Sequence, residues 1–187
     1  MQTDHLSPLA GELLALSAAT AYNRLVVRGG GTPEAQKLLA GASASDLFVS
    51  DSGISKSRQE AALAGLWLWH DWLDQSHTIS QGLHDSTGSF WHAIMHRREG
   101  DFSNSKYWYA RAAGHPALAT MAAQAGAIVN DQPADGLLLR IISRGFDPDR
   151  LVDFVEAVHE SSDDPRHAVA VQLQRLEWRV LFDWYIR

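Results

Sequence analysis

Three side chains, His92, His96 and Glu99, stand at i, i+4 and i+7, so on a helix they project from one face. His70, Asp74 and His77 repeat that spacing if a single helix runs through position 77. Neutral imidazole and carboxylate are ligands for zinc, iron or manganese, and two facing helices that carry them can build a metal site in a bundle core. His77, His92, His96 and Glu99 are therefore the candidate metal ligands, with Asp74 as a further acid. The chemistry they imply is Lewis-acid activation of water or of oxygen by a divalent ion, the work of a hydrolase or an oxidoreductase. The chain has nine histidines and no cysteine, which limits any ion to nitrogen and oxygen ligands and excludes a cysteine nucleophile, an iron–sulfur cluster and a disulfide scaffold. The plainer reading is that these histidines border the apolar face of Phe90, Trp91, Ile94 and Met95 as hydrogen-bonded polar positions. The Glu-x-x-His pattern of bundle metal sites is missing.

A second grouping is cationic. His96, Arg97, Arg98, Lys106, Arg111 and His115 fall close together, interleaved with Tyr107, Trp108 and Tyr109. Arginine forks take carboxylate or phosphate bidentately, and aromatic rings add stacking. The 77–111 region is thus expected to bind a small, anionic ligand or a partner through His77, His92, His96, Arg97, Arg98, Glu99, Trp108 and Arg111. Ion pairing with Glu99 and Asp101 across the intervening turn is the structural alternative. A net charge of −6 argues against nucleic acid as the partner.

Weaker signals are read structurally. The His70-Asp71 dipeptide resembles that of the HD-domain phosphohydrolases, which need a further histidine some tens of residues upstream. Here the upstream histidine is His5, at unsuitable spacing. Gly29-Gly30-Gly31-Thr32 lacks a preceding strand and a Walker lysine, so it is expected to stop a helix rather than hold phosphate. The serines between 43 and 57 read as connector and caps.

Those residues need helices to position them. Ser7-Pro8, Thr32-Pro33, Asp147-Pro148 and Asp164-Pro165 each place a capping side chain before a proline at the first helical position. No long stretch alternates apolar and polar residues, so strands have little support. The pattern predicts helices over 8–26, 33–40, 57–76, 78–83, 89–99, 102–113, 116–129, 135–144, 148–160 and 165–185, with a short turn over 46–49. The expected fold is a single all-α domain over 1–187, an irregular bundle or array of antiparallel helical hairpins. Apolar runs are too short and too interrupted to span a bilayer, the first residues carry no basic leader, and a cytoplasmic location is expected.

Two resemblances follow from the centre of the chain. Gly100-Asp101-Phe102 with Ser105, Tyr109, Ala112 and His115-Pro116 resembles the second helix of a tetratricopeptide repeat, which implies a protein–protein scaffold. No second copy stands at a ~34-residue period. The string from Trp91 to Trp108, with 76–81 and 177–183, resembles an uncharacterised family of bacterial and fungal helical proteins, which brings no assigned activity. Seven tryptophans add the expectation of a homodimer.

Overall fold

The computed structural model describes residues 4–187, so the reading of the first three as part of a leaderless start lies outside it. Among the described residues there are ten α-helices, one 3-10 turn over Ala44–Leu47 and no strand. The helices are α1 (Pro8–Ala15), α2 (Pro33–Ala40), α3 (Lys56–Trp69), α4 (Leu73–Ser80), α5 (Ser86–Glu99), α6 (Phe102–Arg111), α7 (Ala117–Asn130), α8 (Gly136–Arg140), α9 (Pro148–Val158) and α10 (Pro165–Tyr185). This is the all-α class that the sequence predicts, and none of these helices is long and apolar enough to cross a membrane.

All four capped prolines start helices, but Thr32 makes no side-chain cap on α2. Ser7, Asp147 and Asp164 accept hydrogen bonds from backbone amides of the first turn at Ala10, Arg150 and Arg166, satisfying donors that a helix start leaves orphaned. Several predicted helices are shorter than expected: 135–144 narrows to Gly136–Arg140, and in place of a separate 78–83 helix α4 covers Leu73–Ser80. The 8–26 helix ends at Ala15, and Ser17 and Tyr22 take positive φ. The 57–76 helix breaks at His70-Asp71, where Asp71 has φ 65°. The physical reason is tertiary. Tyr22 is buried under the Arg98 guanidinium, 3.8 Å from its ring centroid, and Asp71 takes ion pairs from Arg24 and Arg98. Local propensity yields to these contacts.

α10 packs on α3, α7 and α9, and α5 packs on α3, α4 and α6. Trp69, Trp91, Trp178, Phe182 and Tyr185 fill the space between α3, α5 and α10. Gly65 makes that packing feasible. A Cβ there would lie 2.8 Å from the Trp91 ring, and its carbonyl accepts the Trp178 indole N–H at 2.7 Å. At the α5–α6 turn, Gly100 has φ 90°, a left-handed conformation that glycine adopts without steric cost. That turn folds α6 back on α5, with Ser105 and Tyr109 buried and the Ser105 hydroxyl donating to the Ala93 carbonyl at 2.8 Å.

Candidate metal centre

The α4–α5 contact brings His77 beside His92 and His96, although 77 and 92 belong to different helices. One ring nitrogen from each of the three lies within 4.8 Å of the others. The His77 ring meets His92 edge-on at 4.5 Å between centroids and His96 at 5.6 Å. Around a tetrahedral ion at ~2.0–2.1 Å, imidazole nitrogens sit roughly 3.3 Å apart.

Each imidazole has a distinct environment. His92 is buried and its Nδ1 has no hydrogen-bond partner among the described residues. A buried imidazole nitrogen without a partner is costly. Burial, with His77 and His96 as neighbours, pushes the His92 pKa down to about 4, so the ring is neutral, the form that ligates metal. Trp108 of α6 stacks on it at 4.0 Å between centroids and 26° between planes. His96 is also buried, and its Nδ1 lies 2.7 Å from the Glu99 carboxylate one turn along α5. The Asn104 amide nitrogen is 3.3 Å from Nδ1 and 3.1 Å from Nε2 of the same ring. Glu99 at the Nδ1 edge orients the His96 ring as a carboxylate orients a ligating histidine, and the Asn104 side-chain amide lies against Nε2. His77 is half-buried. A second grouping, His96, Glu99 and Asp101, shares His96 with the first. Its Asp101 is the exposed N-cap of α6 and already accepts from the Asn104 amide N–H and the Ser103 hydroxyl.

The structure separates the remaining candidates. The 70/74/77 stripe does not form, because the chain breaks at Asp71. His70 caps α3, buried, with Nε2 2.9 Å from the Leu13 carbonyl oxygen. Burial lowers its pKa. Asp74 is exposed and belongs to neither grouping. The expectation that Arg97 and Arg98 face a ligand is corrected, because both guanidiniums are fully buried in the core. Arg97 donates to Glu177 Oε2 at 2.5 Å and to the Tyr109 hydroxyl at 2.7 Å, and that hydroxyl donates to Glu177 Oε1 at 2.8 Å. Burial alone would favour neutral Arg97, but Glu177 and Tyr109 outweigh it and raise its pKa. Burial also raises that of Tyr109. Arg98 donates to Asp71 Oδ1 at 2.5 Å and to the Leu68 and Arg24 carbonyls. Trp108 is half-buried against His92, Glu99 is half-buried beside His96, and Arg111 is exposed.

The Gly29-Gly30 segment does line a polar cleft of about 510 Å³ with Arg28, Trp72, Asp74 and Glu99. Sequence reasoning missed Asn104 and Glu177. No local spacing singles out an asparagine on the next helix, or a glutamate 80 residues from its arginine. Comparison with family models, with curated proteins and with solved structures finds no match to this chain.

Proposed function

We propose that this protein is a divalent-metal protein in which His77, His92 and His96 hold one ion and Glu99 orients His96. The observation that carries the reading is the convergence of three ring nitrogens within 4.8 Å, one of whose rings has a buried, unpartnered Nδ1. An all-imidazole set suits zinc and its late first-row neighbours better than magnesium or calcium. Three protein ligands leave a further position for water, the pattern of catalytic rather than structural zinc sites. The reaction class that follows is metal-assisted hydrolysis, in which such an ion lowers the pKa of its bound water. The chain's own residues contribute a dry backing in Trp108, a neutral His92 and a carboxylate on the far nitrogen of His96.

Metal analysis of untagged protein tests the reading. About one equivalent of zinc or a neighbouring ion is expected after purification or reconstitution, falling below about a tenth in His92→Ala and in His96→Ala that remain helical by circular dichroism. Less than about a tenth of an equivalent in the unmutated protein, after incubation with zinc and desalting, overturns it.

A further inference from the structure

α6 carries a stripe that leads from the histidine cluster to the surface. Asn104, Trp108 and Arg111 stand at i, i+4 and i+7, so they share one helix face. Asn104 covers His96 and Trp108 stacks on His92. One turn further out, the Arg111 guanidinium lies 5.3 Å from the Trp108 ring centroid and 5.7 Å from that of Tyr107. Tyr107 and Trp108 meet edge to face at 5.5 Å. The Tyr107 side chain is 56% exposed.

The charge on this stripe is uncompensated. Among the described residues the one hydrogen bond of the Arg111 guanidinium is a long one, 3.3 Å, to the Tyr107 hydroxyl. The neighbouring cation, Lys106, is spent on Asp153 across the α6–α9 contact. Arg97 and Arg98 are spent in the core. In a chain of net charge −6, a free guanidinium framed by two aromatic rings and one stack away from a candidate metal ligand is chemically distinctive. A guanidinium fork takes phosphate bidentately, and an exposed ring offers its face to a planar group.

We infer that the Tyr107–Trp108–Arg111 surface is the substrate platform of the proposed metal centre and takes a small phosphate monoester bearing a planar aromatic ring, of which a nucleoside monophosphate is the representative. The inference rests on the metal-centre reading for its role in catalysis, but the platform's affinity does not need the ion. The phosphate sits on the free edge of the Arg111 guanidinium, at the rim of the Trp108 ring that stacks on His92. The ring lies against Tyr107.

Isothermal titration of chelator-treated and of zinc-loaded protein with adenosine monophosphate, adenosine and inorganic phosphate tests it. In both preparations the monophosphate is expected to bind saturably, with adenosine and phosphate each at least tenfold weaker. Arg111→Ala is expected to weaken the monophosphate at least tenfold. Arg111→Lys, which keeps the charge and loses the fork, is expected to recover only part. Tyr107→Ala should weaken adenosine and the monophosphate alike and leave phosphate unchanged. Both side chains are exposed, so none of these variants is expected to unfold the chain. Absence of saturable binding, equal affinity for monophosphate and phosphate, or an unchanged affinity in Arg111→Ala overturns the platform. Metal content, measured separately, decides the metal centre, so the two can fail independently.

Discussion

Replacing Glu177 by glutamine removes one charge and almost no volume. Among the described residues its carboxylate is the sole anion paired with Arg97, and both side chains are fully buried. The guanidinium Nε already lacks a partner, and the Tyr109 hydroxyl is the one other group on its Nη atoms. In Glu177→Gln the arginine stays in place with an uncompensated charge and no route to water. Breaking a buried pair from one side costs about 3–5 kcal/mol, roughly a fifth or more of the ~5–15 kcal/mol by which whole domains are stable. For a chain of this size each kcal/mol moves the melting midpoint by roughly 2–4 °C, so a fall of roughly 6–20 °C is expected. The pair as a whole is worth far less, because both charges lost their hydration on burial. Arg97→Met with Glu177→Leu should therefore recover most of the loss. Urea unfolding of the wild type, both single variants and the double variant gives the cycle directly. A cost below about 1 kcal/mol for Glu177→Gln refutes the reasoning. So does a double variant as unstable as the two single losses added together.

Other predictions concern the centre and its supports. Glu99→Gln should weaken zinc binding about 10–100-fold in chelator competition, with Glu99→Asp intermediate, because the carboxylate orients His96 without contacting the ion; an unchanged affinity removes Glu99 from the centre. Gly65→Ala should destabilise by about 1–3 kcal/mol in urea unfolding, because its Cβ would meet the Trp91 ring at 2.8 Å; a neutral result would show that the ring can give way. Burial lowers the pKa of both His70 and His115. Below the ordinary histidine value the unfolded chain therefore binds more protons than the folded one. Stability should be complete above about pH 6.5 and fall as the pH drops from there through the lowered folded values. The urea midpoint at pH 7.5 and 5.5 measures this. His115→Asn should flatten the fall, and an equal slope in that variant would count against the assignment.

Much of the local structure is legible in the residues alone. Ser7, Asp147 and Asp164 before prolines mark helix starts that form with those caps. Gly100 marks the α5–α6 turn, and the 92/96/99 spacing does put two imidazoles and a carboxylate on one face of α5. Where the reading departs from the structure, a contact distant in sequence decides. The helix expected over 57–76 breaks at Asp71 because Arg24 and Arg98 hold that carboxylate from other elements, and a helix-forming window cannot register them. Arg97 and Arg98 read as ligand-facing because adjacent arginines at a helix end are ordinarily solvated. Glu177 and Asp71, at 80 and 27 positions' remove, supply the charges that let them be buried.

The composition by itself determines that no thiolate can ligate an ion here, and the helical periods determine that His92 and His96 share a face. The third imidazole is a tertiary matter. His77 lies on a separate helix, and the packing of α4 against α5 alone brings its ring to 4.5 Å from that of His92. The same holds for Trp108, which the Gly100 turn folds back onto His92. Spacing along a chain fixes neighbours within one helix, whereas a site with three walls depends on which faces are buried together. That is settled by the fit of apolar surfaces and the pairing of buried charges across the whole core.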